Sequence, residues 1–228
     1  MRLPLISLAA LAVLTLPAAA QDYLATGMGQ QVFFSPSGQP FRAAPGKPYP
    51  TMDWFNAADA DHDGKISHDE FVADAMRFFD ALDLNHDGYI NSPENTRYEN
   101  QVAPEIQLMD PRIQQPKVIQ HDYDADMDAN QDQEPNGGKY IKQIVGASQY
   151  GLIDEPQPIR AADANFDFRV SKDEWLAASN QRFAILDRNR DGFITANELP
   201  QTPAQVAQEL DQKDGKDRRN KKKHSGFW

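Results

Sequence analysis

The chain has 228 residues and no cysteine, with 34 acidic against 23 basic side chains. This length suits one or two modest domains. The absent cysteines exclude a disulfide framework, and the acidic balance argues against a nucleic-acid binder working through a basic surface. The charge is also uneven. Gln21 to Leu210 carries 15 basic and 31 acidic residues, net −16, whereas Asp211 to Trp228 carries seven Lys and Arg against three Asp, net +4. A body so charged repels itself, and cations held at clustered carboxylates relieve the repulsion and staple a small core.

Residues 1–20 combine Arg2, an apolar run from Leu3 to Leu16 and a small-residue end at Ala18 to Ala20. They read as a secretory signal peptide cleaved after Ala20, too short to span a bilayer. The expectation is a periplasmic or extracellular protein with no transmembrane segment after cleavage. In residues 21–50, Val32 to Phe34 and Pro40-Phe41 flank a Pro-Ser-Gly turn and predict a small hairpin.

Residues 51–104 and 158–208 each hold two stretches of twelve residues with one layout: Asp59–Glu70 and Asp83–Glu94, then Asp163–Glu174 and Asp187–Glu198. We number these loops 1 to 4. Ca2+ takes six to eight oxygens, and a short loop wraps it when oxygen side chains stand at positions 1, 3 and 5. These are Asp59, Asp61 and Asp63; Asp83, Asn85 and Asp87; Asp163, Asn165 and Asp167; Asp187, Asn189 and Asp191. Position 7 gives a backbone carbonyl, from Lys65, Tyr89, Arg169 or Phe193, so its side chain is free. Position 9, often acting through water, is Ser67, Asn91, Ser171 or Thr195. Position 12 is a bidentate Glu, which suits calcium better than octahedral magnesium: Glu70, Glu94, Glu174 and Glu198. Position 8 is β-branched in every loop: Ile66, Ile90, Val170 and Ile194.

The register of oxygen ligands, turn glycine, β-branched residue and terminal Glu resembles the EF-hand family. Loop 3 departs from it, with Phe168 where Gly64, Gly88 and Gly192 stand in the others. That position needs a positive φ, which costs a side chain with a Cβ about 1–2 kcal/mol, or about tenfold in affinity. Loop 3 therefore either binds more weakly or only pairs with a working loop, and three Ca2+ sites are expected with a fourth open at residues 163–174.

Asp59 to Asp83 and Asp163 to Asp187 are both 24 residues apart. This leaves room for one helix between the loops of each half: Phe71 to Leu82, with Phe71, Ala75, Phe78, Phe79 and Leu82 on one face, and Trp175 to Leu186, with Trp175, Phe183 and Leu186. Twelve residues span about 18 Å, which separates the two loops of one half and predicts pairing across the halves. The close spacing resembles that of lanmodulin, a periplasmic lanthanide-binding EF-hand protein. However, Ala60, Leu84, Ala164 and Arg188 stand where lanmodulin has Pro. The segments Phe34–Phe41 and Gly151–Pro158 are similar to those of secreted alphaproteobacterial EF-hand proteins, a resemblance that brings no activity with it.

The connector, 105–157, is rich in Pro, Gln and Asp. Its stretch from Asp122 reads as a solvated acidic loop, and Tyr140 to Leu152 as a helix. Met52, Trp54 and Phe55 precede loop 1, a short lead from Pro158 to Ala162 precedes loop 3, and the chain after Glu94 and Glu198 can continue helically, shortened at the end by Pro200 and Pro203. The tail, 209–228, reads as disordered. Its basic run and Phe227-Trp228 are set against contact with anionic lipid or cell-wall polymer, and a solvated tail is the simpler reading. His62, His68, His86 and His121 have no partner that makes a site, and no G-x-S-x-G, H-E-x-x-H or P-loop is present.

The fold expected is mainly α: helix-loop-helix repeats in two halves, very short β pairing between loops, an N-terminal hairpin and a long connector. The function expected is non-enzymatic, reversible Ca2+ binding as buffer, stapled module or sensor. The alternatives are a lanthanide or metal scavenging and delivery protein, and a calcium-dependent binder of a cell-envelope partner.

Overall fold

The computed structural model describes residues 31–110, 113 and 144–225, with side chains up to residue 216. The signal peptide, the acidic stretch from Asp122, His121, the start of the Tyr140–Leu152 segment and Phe227-Trp228 lie outside the described residues.

The chain opens on an antiparallel hairpin, β1 (Gln31–Phe34) and β2 (Pro40–Ala43), with Phe33 opposite Phe41. Successive side chains of a strand point to opposite faces, and here both faces are buried. Val32 and Phe34 enter one apolar cluster and Phe33 the other. The turn is held by Ser35 and Gly38, and the buried Tyr98 hydroxyl donates to the Gly38 carbonyl at 2.7 Å. Arg42 forks onto the fully buried Glu105 carboxylate at 2.6 and 2.9 Å, which pins the hairpin to the end of the first half.

Helix α1 (Thr51–Ala58) buries Trp54, Phe55 and Ala58 and leads into loop 1. Strand β3 (Lys65–Ser67) follows, then α2 (His68–Leu82), which runs without a break into loop 2 and β4 (Tyr89–Ile90). α2 begins with a capping box, in which Ser67 and Glu70 satisfy each other's backbone amides. Its buried face is Phe71, Ala75, Phe78, Phe79 and Leu82, the face predicted from periodicity. α3 (Ser92–Arg97) passes through a wide π turn at Tyr98–Val102 into a 3-10 turn at Pro104–Gln107.

The second half repeats the plan: α4 (Pro158–Ala161), β5 (Val170–Ser171), α5 (Lys172–Leu186) and β6 (Phe193–Thr195). α5 also opens on a capping box, from Ser171 and Glu174. The two linking helices pack antiparallel. Phe71, near the start of α2, meets Phe183 near the end of α5 at 5.5 Å, and Phe79 meets Trp175 at 5.8 Å. The Trp175 indole N–H donates to the Ala75 carbonyl between them at 2.8 Å. Antiparallel packing puts loop 1 beside loop 4 and loop 2 beside loop 3. Ile66 accordingly pairs with Ile194, and Ile90 with Val170. The cross-half pairing expected from the 24-residue spacing is therefore the one observed.

Three local expectations are corrected. The helix expected over Tyr140–Leu152 is, among the described residues, only a 3-10 turn at Gly146–Gln149. Gly146 has φ +61°, and a Cβ there would lie 2.2 Å from the Pro156 carbonyl, so the backbone turns where a helix would have continued. The chain turns at residues 196–198, and residues 199–202 after Glu198 are not helical. The tail expected to be disordered is helical, α6 (Pro203–Ser225). The buried Thr202 accepts from the Gln205 amide at 3.2 Å, and Gln205 accepts from the Thr202 amide at 2.8 Å. This Thr-x-x-Gln capping box starts the helix with Pro203 in its first turn, and the Gln, Glu, Lys and Arg that follow are good helix formers. No helix among the described residues is long and apolar enough to cross a membrane.

Candidate metal centre

All four loops share one hydrogen-bonded cage. The position-1 backbone amide closes the preceding helical turn, and the carboxylate of the same residue accepts two amides from across the loop. Asp59 Oδ1 and Oδ2 accept from Asp63 and Gly64 at 3.1 and 3.0 Å, and Asp83 from Asp87 and Gly88 at 3.1 and 2.9 Å. Asp163 accepts from Asp167 and Phe168 at 3.2 and 3.0 Å, and Asp187 from Asp191 and Gly192 at 3.2 and 3.0 Å. The position-5 carboxylates Asp63, Asp87, Asp167 and Asp191 accept the position-7 amide at 2.9–3.0 Å. The side chains at positions 1, 3, 5 and 12 thus gather round the loop amides as a set of hard oxygen donors, which fits a hard divalent ion.

Loop 1 gathers the most charge. Oxygens of Asp59, Asp61 and Asp63 all lie within 4.8 Å of one another. In loops 2, 3 and 4, Asn85, Asn165 and Asn189 take position 3. Each donates its amide N–H to the position-5 carboxylate, at 2.9, 3.3 and 3.1 Å, and keeps its Oδ1 toward the loop amides.

The position-12 carboxylates are held by the strands. Glu70, Glu94, Glu174 and Glu198 each accept from the position-9 amide at 2.8–2.9 Å: Ser67, Asn91, Ser171 and Thr195. The Ser67, Ser171 and Thr195 hydroxyls donate to the same oxygen at 2.7–2.8 Å. For Glu70 and Glu198 the backbone bond is the main cause of a carboxyl held below the usual range, against the opposing effect of burial. For Glu174 burial is the largest influence and raises the value, but the Ser171 amide and hydroxyl outweigh it and the net shift is downward. The other oxygen divides the two halves. Glu70 and Glu94 reach the position-2 amides of Ala60 and Leu84 at 2.9 Å, whereas Glu174 and Glu198 reach only the position-3 amides of Asn165 and Asn189, at 3.3 and 3.4 Å.

Phe168 occupies the glycine position of loop 3 with φ 66°, against 84°, 82° and 86° at Gly64, Gly88 and Gly192. The loop keeps its cage all the same. Position 4 is also left-handed in every loop, at His62, His86, Phe166 and Arg190. The position-8 residues are all buried.

The position-7 side chains, read from the sequence as free, stack across each loop pair. Lys65 Nζ sits 4.9 Å from the centre of the Phe193 ring, and Arg169 lies 4.9 Å over Tyr89. The signal was present as one cation and one aromatic group in each pair, but it needed the pairing to be read. His62 and His86 are exposed as expected. His68 is not merely solvated: its ring stands edge-on to Phe183 at 5.0 Å and bonds Asn180 Oδ1 at 2.9 Å.

Residues 51–73, 75–94 and 180–201 match the family model described as EF hand. These stretches contain loops 1, 2 and 4, and the chain thus carries three EF-hand motifs of the calcium-binding class; loop 3 lies outside them. No curated protein matches the chain.

Proposed function

We propose that this is a secreted or periplasmic protein that binds Ca2+ reversibly at loops 1, 2 and 4, and more weakly at loop 3, and is braced by it. The observation that carries the reading is the cage repeated in all four loops, with the Asp59, Asp61 and Asp63 oxygens drawn within 4.8 Å. In each loop the ligands are the side chains at positions 1, 3, 5 and 12, the carbonyl at position 7 and, through water, position 9. Loop 1, with four carboxylates, is the tightest site, and loops 2 and 4 follow with three each. Loop 3 is weakened by Phe168 and is the fourth site of the proposal. When bound, the ion supplies positive charge and a fixed cross-link.

Each loop pair takes one loop from each half, so an ion that stiffens either loop of a pair also steadies the strand pairing that joins α1–α3 to α4–α5. Four divalent ions also halve the net −16 of the body, which favours the compact state. The protein is a binder rather than a catalyst, with a stapling role. The Asp59, Asp61 and Asp63 group also suits a trivalent ion, which keeps metal scavenging as the second reading.

Calorimetric titration of the metal-stripped chain with Ca2+, Mg2+ and La3+ tests this. Three or four calcium sites, little magnesium binding and a modest lanthanum preference are expected. Lanthanum binding tighter by many orders of magnitude supports the scavenging reading, and no heat with any of the three ions at millimolar concentration refutes both.

A further inference from the structure

The two ends of the helix pair differ in what they show to solvent. At the end formed by loops 2 and 3, Phe166 and Phe168 are 81% and 79% exposed, with Leu84 and Tyr89 also exposed. Positions 4 and 6 at the other end are His62, Gly64, Arg190 and Gly192. Both phenylalanines hold left-handed backbone, φ 61° and 66°, a conformation a bulky residue adopts at a cost. Among the described residues neither ring stacks on another aromatic group, and neither joins a core cluster. The side chains thus strain the loop and leave apolar surface in water.

We propose that the loop 2–loop 3 end inserts Phe166 and Phe168 into a phospholipid surface with anionic headgroups. The rings are exposed at a tight left-handed turn, small protruding groups that a deformable apolar layer can take up. A tip-to-tip dimer would bury four rings of about 150–250 Å2 each, short of the roughly 1,200–2,000 Å2 of a stable interface. Three cations lie near the rings in the chain, each about half-exposed or more and each paired to one carboxylate: Arg169, next to Phe168, with Asp167 at 3.7 Å, Lys172 with Asp80 at 3.0 Å and Arg160 with Glu99 at 3.3 Å. A calcium ion taken up by Asp167 would release Arg169 to a headgroup phosphate. Reversible attachment takes an apolar anchor plus electrostatic attraction, and both are present here. The carboxylates of Asp83, Asp87, Glu94, Asp163, Asp167 and Glu174 oppose an anionic surface until they are neutralised, so attachment to anionic lipid is calcium-dependent. That dependence rests on the calcium reading above; the insertion of the rings does not.

The test is co-sedimentation of the full chain with phosphatidylcholine–phosphatidylglycerol vesicles in Ca2+ and in EDTA, with calcium heats measured on the same proteins. The variants are Phe166→Asn with Phe168→Gly, residues that accept left-handed backbone, and Ile185→Ser as an exposed apolar control on α5. Wild type and Ile185→Ser are expected to pellet in Ca2+. The double variant is expected to lose about a hundredfold in partitioning while its calcium binding stays or tightens, opposite signs that a damaged loop would not give. Equal pelleting of wild type and double variant overturns the proposal. So does a wild type that binds calcium yet stays in the supernatant, or one that self-associates through the rings and ignores vesicles. If no calcium heat is seen, the loop reading fails on its own. The rings are then judged on pure phosphatidylcholine in EDTA, where a Phe-dependent partition supports insertion and its absence overturns it.

Discussion

The loop 1–loop 4 and loop 2–loop 3 ends are built on the same two helices and the same cage, and they spend their non-ligand positions differently. At the first end position 6 is glycine twice and the surface is polar, with His62, Arg188 and Arg190 exposed. At the second, loop 2 is closed around Glu94, while loop 3 carries two exposed phenylalanines and keeps its position-1 Asp163 only half-buried. The ligand positions fix the backbone, and the positions between them are free to carry other properties. A strained residue survives there because Asp163, Asp167 and Glu174 over-determine the turn.

The largest expected effect is metal removal. Each site that binds only the folded chain adds about 2.7 kcal/mol at a hundredfold excess of ion over its dissociation constant. The melting temperature in EDTA should therefore fall far below that in Ca2+, and equal melts would remove the stapling role. Next, the ends can be set against each other through their clamps. Glu70→Gln should abolish site 1 and weaken site 4, its strand partner, by about 5–150-fold, with sites 2 and 3 changed less. Glu174→Gln should spare site 1 and weaken site 2. A titration in which Glu70→Gln weakens site 2 as much as site 4 would mean that coupling runs along α2 rather than across the strands.

Phe168→Gly should tighten loop 3 about tenfold by relieving about 1–2 kcal/mol of backbone strain, which makes the two ends more alike; calorimetry reads the change directly. Acidity probes the clamps of the metal-free chain. Glu70, Glu174 and Glu198 have folded values below the ordinary 4.5. The stability they contribute is complete above that value and is lost as pH falls through the lowered folded ones. Melting of the metal-free protein should hold steady down to about pH 5 and then drop. Smallest of all, Lys65→Ala and Arg169→Ala each remove one cation over a ring and should cost about 0.5–1 kcal/mol, measured by urea denaturation in Ca2+.

The sequence by itself determined what depends on near neighbours. Ligand types at fixed offsets define the loops. The buried face of α2 follows from 3.6-residue periodicity, and the hairpin from two apolar runs around a Pro-Ser-Gly turn. Even the separation of loops within a half follows from the stiffness of the helix joining them. Tertiary structure decided everything that needs a partner distant in the chain. The antiparallel packing of α2 on α5, locked by Trp175 on the Ala75 carbonyl, selected loop 1 with loop 4 over the equally permitted pairing with loop 3. Gly146, in left-handed backbone with the Pro156 carbonyl where a Cβ would stand, begins a 3-10 turn where local propensity allowed a helix. Thr202, buried against the body, turned a polar tail into the start of α6 by capping it. The reason is common to all three: propensity differs between states by about 1 kcal/mol or less per residue, and one buried clash or satisfied cap is worth as much as several such preferences.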